Sequence, residues 1–322
     1  MTDTLREVTV VIPTYSRTDL LEECLESLSN QTSKDFDVIV VDDGSERGVP
    51  EAVLRSIPKT IVIRRERNGG FAKAINTGIR AANSPLVLLL NDDMTLAPDC
   101  LELLRSGLID SGAGIIGPLV LFREERNIVY SFGDRIRKSG RPESIGFRRP
   151  LTDLDQQEKP FGVSAGAALI RREVFDSIGL LDERFGAYFE DADLCFRARA
   201  AGFGVAVVRE AVAYHVGGAS MEGRGWWRSR QCCRNHLLLV IKNYPAPLLA
   251  RYARKIAREH AHQCGRVVSS ARTEFGLLRA FSMLLSTWAG FLAALPQALI
   301  ERRKIQRARA LPIAAIENLL AE

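Results

Sequence analysis

Five consecutive apolar residues, Leu86 to Leu90, run straight into Asn91, Asp92 and Asp93. An apolar run without alternation is the pattern of a strand buried on both faces, which restricts the chain to a sheet covered by helices on each side. In open α/β sheets, ligands bind beyond the carboxyl ends of the strands. Paired carboxylates delivered there suit a hard divalent cation, Mg²⁺ or Mn²⁺, bound together with substrate phosphates. A solvated Asn-Asp-Asp turn is the competing reading of the same residues.

Earlier segments repeat the design. Val8–Ile12 is a second buried run, closed by Pro13, Thr14 and Tyr15, and Leu20, Leu21, Cys24, Leu25 and Leu28 then recur at helical spacing. Phe36–Val41 predicts a strand ending in Asp42 and Asp43, Thr60–Arg64 another strand, Asn68-Gly69-Gly70 a turn and Phe71–Ala82 a helix. Strands alternating with helices, each strand ending in a polar cluster, predict a mostly parallel sheet with a nucleotide-type crevice. No GxxxxGKS/T stretch occurs, which argues against a P-loop.

Beyond Gly112 the pattern mixes. Ile115–Phe122 and Val163–Ile170 predict strands, and Glu190–Ala201 predicts a helix. The polar stretch Gly133–Lys159 reads as a loop, either a plain surface insertion or a lid over a phosphorylated substrate. Gly225–Asn243 has a mixed helical pattern that ends at Pro245.

The net charge of +5 hides an asymmetry. From Pro245 onward there are 12 Lys/Arg against 5 Asp/Glu, whereas residues 1–244 hold 32 against 34. Attraction to anionic surfaces therefore belongs to the C-terminal part, where Arg251, Arg254, Lys255 and Arg258 share one helical face. Phe281–Ile300 carries no charge and is followed by Glu301-Arg302-Arg303-Lys304. That run reads as an interfacial helix with a basic collar, in preference to a buried helix or a membrane span. The six cysteines form no CxxC pair and no zinc spacing, so reduced thiols of a cytosolic protein are expected. The polar start MTDTLRE does not read as a signal peptide.

Taken in order, VVIPTYSR, VVDDGS, NGGFAKAINTG, LLLNDD, GAALIRREVFDSIGLLDERFGAYFEDADLCFRARAAG and YHVGGAS resemble the motifs of family 2 inverting glycosyltransferases, most closely the bacterial rhamnosyltransferase-like branch. The match covers about residues 8 to 243. The resemblance implies a GT-A fold, the Rossmann-like α/β architecture of nucleotide-diphospho-sugar transferases. Residues 1–244 would form that domain, with a nucleotide-sugar half at 1–111 and an acceptor half at 112–244. Residues 245–322 would add a basic, amphipathic helical extension.

By the same resemblance, Pro13, Thr14, Tyr15, Asp42, Asp43, Asn68, Gly70, Asn76 and Asp92 lie on the donor side. A carboxylate there can accept from the imide N–H of uracil or thymine, which favours UDP- or dTDP-sugars, dTDP-rhamnose among them. Asp93 and His215 would hold Mg²⁺ or Mn²⁺; Asn91 stands where the family's metal motif begins, one carboxylate fewer. Asp191 would be the general base, with Gly166, Ala167, Glu190 and Trp226 toward the acceptor. Acidic residues opening a helix also favour its dipole without any catalytic role. The partners implied are a nucleotide-diphosphate sugar and a glycan or lipid-linked glycan acceptor, with the tail at a membrane surface and no nucleic acid. The expected place is the cytoplasm, peripheral to the inner face of the cytoplasmic membrane. The other reading is a catalytically inactive, nucleotide-sugar-binding scaffold of a glycan assembly complex.

Overall fold

The computed structural model describes residues 6–57, 59–155, 158–217 and 225–322; Gly218, Ala219 and Ser220 of the YHVGGAS stretch lie outside them. The chain divides into two compact units, one of Met1–Asp134, Ser144–Leu181 and Phe203–Gly217, the other of Arg135–Glu143, Asp182–Gly202 and Gly218–Glu322. Each unit is therefore assembled from separate stretches of chain.

The first unit holds β1 (Val8–Thr14), α1 (Thr18–Ser29), β2 (Phe36–Asp42), β3 (Ile61–Arg64), α2 (Phe71–Ala81), β4 (Leu86–Leu90) and β5 (Met94–Leu96). It continues with α3 (Cys100–Ser111), β6 (Ile115–Phe122) and β7 (Val129–Ser131). Next in the chain come β8 (Asp134–Ile136) and β9 (Pro142–Ser144), which pair as a separate hairpin whose residues Arg135–Glu143 belong to the second unit. After it come β10 (Ala167–Arg171), α4 (Arg172–Ile178) and, later in the chain, β11 (Val205–His215). One nine-stranded sheet runs β3-β2-β1-β4-β10-β6-β11-β5, with β7 added on β6.

The β3-β2-β1-β4 half is parallel, as the buried runs predict. Beyond it the sheet is mixed: β10 is antiparallel to β4 and β6, β6 is parallel to β11, and β5 is antiparallel to β11. All of β1, β4 and β6 is buried, as strands covered on both faces must be. Helix α2 packs on β1 and β2 at Gly78, where an added Cβ would come within 2.2 Å of Val11 Cγ1. A side chain there would separate helix from sheet, so glycine sets the spacing.

Two expectations shift. The strand anticipated from Val163 starts only at Ala167, because Ser164 Oγ accepts the Gly166 N–H (3.2 Å) and Gly166 O accepts the Asn91 N–H (2.9 Å), forming a turn. The loop anticipated at Gly133–Lys159 contains β8, β9 and a 3-10 turn at Leu151–Asp153. Surface strands this short carry no apolar alternation by which a sequence could reveal them.

The second unit is helical: α5 (Glu190–Ala200), α6 (Gly225–Asn243), α7 (Ala246–Phe275), α8 (Leu277–Ala308) and α9 (Ile313–Leu319). Helices α6, α7 and α8 pack on one another, and α5 packs on α6 and α8. Helix α5 is tied to α6 by charge. Asp193 Oδ2 accepts from Arg197 Nε (2.9 Å) and Lys242 Nζ (2.8 Å), Asp193 Oδ1 accepts from Asn243 Nδ2 (2.8 Å), and Lys242 also reaches Asp182 (2.6 Å).

The uncharged run lies in α8, a helix long and apolar enough to cross a membrane by length and composition. Its most apolar stretch is only 17% buried, and Leu278, Phe281, Leu285 and Leu292 face outward. Part of the anticipated collar has another occupation: Arg302 Nη1 donates to the carbonyls of Ile241 (2.5 Å) and Tyr244 (2.6 Å), closing the C-terminal end of α6. On α7, Arg251 pairs with Glu317 and Lys255 with Glu322, leaving Arg254 and Arg258 exposed on that face.

Burial alone would raise the carboxyls of Asp182 and Asp193, yet the surrounding cations hold both below the usual carboxylate range. Groups depressed in the folded state stabilise it above the unfolded pKa of about 4, and that stability is lost as pH falls further. Lys242→Met should cost about 3–5 kcal/mol at neutral pH by leaving buried carboxylates undercompensated. The deficit should narrow below about pH 4 as the carboxylates protonate. Urea unfolding at both pH values measures this, and a pH-independent deficit would place the loss in packing instead.

Candidate active site

The ends of β1, β4 and β11 converge on two acids. Thr14 Oγ1 donates to Asp92 Oδ2 (2.8 Å), and Arg17 Nη1 reaches Asp92 Oδ1 (3.4 Å) and Asp93 Oδ2 (3.2 Å). Strand register does the rest: Met94 stands opposite His215 across β5 and β11, and the Val216 N–H donates to Asp93 O (3.2 Å). His215 Nε2 thereby lies 3.4 Å from Asp93 Oδ1. Its Nδ1 accepts the Gly217 N–H (2.9 Å) and its ring sits 4.2 Å from that of Tyr130, which fix it with Nε2 toward the acid.

Burial pushes the Asp92 carboxyl up to about 6; the Thr14 bond opposes this, the Asp93 charge adds to it and Arg17 opposes it. Two adjacent buried carboxylates call for positive charge, and Arg17 supplies part of it. The spacing also suits a small divalent ion, and ligation through His215 Nε2 would move the ring proton to Nδ1 and open the Gly217 bond. Adjacent ligands of an octahedral Mg²⁺-sized ion sit about 3 Å apart, close to the Asp93–His215 separation.

Arg17 leaves almost no mark in the sequence. Its only signal is a basic residue directly after the Thr14–Ser16 strand end, with its distant partners invisible.

Asp42 and Asp43 have partners the sequence does not reveal. Asp43 accepts the N–H groups of Gly69 (3.1 Å) and Gly70 (2.9 Å) and pairs with Arg65, while Asp42 Oδ1 accepts the Ser45 N–H (2.9 Å). Both acids thus hold loops: Asp43 orders the Asn68–Gly70 turn that leads into α2. Gly44 (φ 79°) needs its glycine, since an added Cβ would lie 2.6 Å from the Arg67 backbone. Asn76 is buried, with its amide bonded both ways to the Leu181 main chain (2.8 and 3.0 Å). Tyr15 is exposed, while the Asp43 N–H donates to Thr14 O (2.9 Å), joining the ends of β1 and β2 beneath it.

A cavity of about 70 Å³ is lined by Asn91, Tyr130, Ser164, Gly166, Ala167 and His215 among others. It brings Gly166 and Ala167 beside His215. An added Cβ at Gly166 would lie 3.3 Å from Asn91 Nδ2, so the glycine keeps that wall open.

In the second unit, the turn before α5 is bent. Tyr188 (φ 67°) and Phe189 (φ 73°) are non-glycine residues in the left-handed region, each costing about 1–3 kcal/mol. The fully buried Asn235 holds them, its Nδ2 donating to the carbonyls of Phe185 (2.9 Å), Ala187 (3.0 Å) and Tyr188 (2.7 Å). Arg234 adds a bond to Phe185 O (2.9 Å). Neither residue stands out in the sequence. Directly after this turn, Asp191 Oδ1 accepts the Ala192 N–H (2.7 Å). Glu190 is buried, and burial with the Asp191 charge pushes its carboxyl well up. Trp226 packs edge-on against Phe275 at 5.4 Å, and Trp227 lies 6.0 Å from Tyr188.

Comparison with known proteins identifies the family and the fold. The family model described as glycosyl transferase family 2 matches residues 9–179. An N-acetylglucosaminyl-diphospho-decaprenol L-rhamnosyltransferase of Mycobacterium tuberculosis is 31% identical over 244 residues, covering 67% of this chain and 76% of that protein. The O-antigen biosynthesis protein RfbC of Myxococcus xanthus is 28% identical over 66% of this chain and 18% of its own length. Among solved structures, the mannosyltransferase PcManGT from Pyrobaculum calidifontis, in complex with GDP-Man and Mn²⁺, superposes with a TM-score of 0.57 at 20% identity, covering 98% of this chain and 88% of its own. Residues 1–349 of S. aureus TarS give 0.55 at 15% identity, covering 94% and 87%. The chain belongs to glycosyl transferase family 2 and is a glycosyltransferase with the GT-A fold.

Proposed function

We propose that this enzyme is an inverting, divalent-metal-dependent transferase that moves a sugar from a UDP- or dTDP-sugar, dTDP-rhamnose first among them, to a hydroxyl of a lipid-linked or growing cell-surface glycan. The observation that carries the reading is the convergence of Thr14, Arg17, Asp92, Asp93 and His215 at the strand ends. The rhamnosyltransferase relative supports the donor and a lipid-diphosphate acceptor.

In this reading, Asp93 and His215 hold Mg²⁺ or Mn²⁺, which when bound supplies positive charge to the diphosphate leaving group. Thr14 orients Asp92, and Arg17 turns its charge from the acids toward the phosphates. Pro13, Tyr15 and the loops held by Asp42, Asp43 and Asn76, including Asn68 and Gly70, shape the base and ribose side. Asp191 takes the proton of the acceptor hydroxyl; that oxygen bonds to the anomeric carbon as the bond to diphosphate breaks on the opposite face. One displacement inverts the configuration. Glu190 and Trp226 lie on the acceptor side, with Gly166 and Ala167 giving the acceptor close approach. The exposed apolar face of α8 supports peripheral attachment to the inner face of the cytoplasmic membrane.

Thermal denaturation with UDP-, dTDP- and GDP-sugars, with and without Mn²⁺, tests the donor. A native-state ligand raises Tm by mass action, so one pyrimidine-nucleotide sugar should raise it in a metal-dependent way. A shift with GDP-sugars alone, or none dependent on metal, would refute the donor assignment. Asp191→Asn should lower the transfer rate about 10²- to 10⁴-fold while leaving that shift intact, and near-normal turnover would exclude Asp191 as the base. Leu278→Asp with Leu285→Asp should release the protein from vesicles containing anionic lipid. Unchanged co-sedimentation would remove the membrane role of α8.

A further inference from the structure

The sequence shows no zinc spacing, yet folding brings together a set of soft ligands far from the two acids of the first unit in sequence and in chemistry. Cys233 on α6 and Cys264 on α7 place their sulfurs 3.7 Å apart, and Cys264 Sγ lies 3.5 Å from His260 Nε2, one turn earlier on α7. One ligand atom from each of these three residues lies within 4.8 Å of the other two. Ideal tetrahedral Zn²⁺ coordination, with Zn–S about 2.3 Å and Zn–N about 2.0–2.1 Å, sets two sulfurs about 3.8 Å apart and sulfur from nitrogen about 3.5 Å. The side chains already stand at those separations.

The surroundings agree. Cys233 is buried and His260 is 9% exposed. Trp288 covers His260 edge-on at 5.0 Å. His236 stacks parallel to it at 5.7 Å, and the His236 Nε2–H donates to Ser139 O (2.8 Å), leaving a lone pair on a buried Nδ1 that has no partner. Two thiols and an imidazole select a borderline-soft ion over Mg²⁺ or Mn²⁺.

We propose that Cys233, His260 and Cys264 form a Zn²⁺ site that clamps α6 to α7, with two thiolates, one imidazole and a fourth position open to solvent. Both thiols release their protons to bulk water on binding, and no electron is transferred.

The test uses the full chain purified without chelator. Metal analysis should find about one equivalent of zinc. Replacement by Co²⁺ should give the near-ultraviolet thiolate charge-transfer band, which carboxylate and imidazole ligands at Asp93 and His215 cannot produce. Cys233→Ser and Cys264→Ser should abolish the band; Cys232→Ser, the adjacent thiol outside the cluster, should keep it. If either variant fails to fold, iodoacetamide labelling of the wild-type chain decides: Cys233 and Cys264 should be protected with zinc and modified after chelation. No charge-transfer band, labelling unaffected by chelator, or a Cys233–Cys264 disulfide in metal-free protein would overturn the site.

Discussion

Two ionisable acids side by side, both nearly excluded from water, form the arrangement on which the first unit turns. Neither Asp92 nor Asp93 could remain charged at a buried strand end without compensation. The fold provides it from several directions: the Thr14 hydroxyl from β1, the Arg17 guanidinium from the loop after it, and the His215 ring from β11. The order of strands in the sheet follows the same need. Placing β1 beside β4, and β5 against β11, lets residues from the start and the end of this unit meet at one point.

A comparable logic operates around Asp191. The residues that aim α5 lie in an unfavourable backbone conformation, and three carbonyls of that turn converge on one buried amide, Asn235. Farther along α6, Lys242 and Asn243 grip Asp193. Backbone strain persists only where the surrounding structure over-determines it, and here α6 supplies the constraint. Changing Asn235 would therefore act on Asp191 through geometry, without touching a reacting atom.

The parallel half of the sheet was legible because Val8–Ile12, Phe36–Val41 and Leu86–Leu90 are apolar but for Thr9 and Asp37, a composition that favours burial. Motif order singles out Asp92, Asp93 and His215, and the fold brings them together. Arg17 and Asn235 were not legible, because each acts through partners many residues away, and single residues of common types leave no local signature. The hairpin of β8 and β9 escaped for another reason: its short polar strands look like loop. Asp43 and Asn76 were found as residues, but their partners, the Gly69 and Gly70 amides and the Leu181 main chain, show that they shape the site by holding backbone. The His260–Cys264 spacing was present in the sequence, but only the packing of α6 on α7 brings Cys233 to it.

The Arg302 bonds to the end of α6 reach beyond that helix terminus. Through Arg302, and through Gln306 donating to Asn243 O (2.9 Å), the helix with the outward apolar face is fastened to α6. Helix α6 in turn grips the turn and helix that carry Asp191. A surface held against α8 would therefore fix the height of that carboxylate above it. If the proposed function holds, acceptors of different stalk length would be sorted by reach before any contact with their sugars was made.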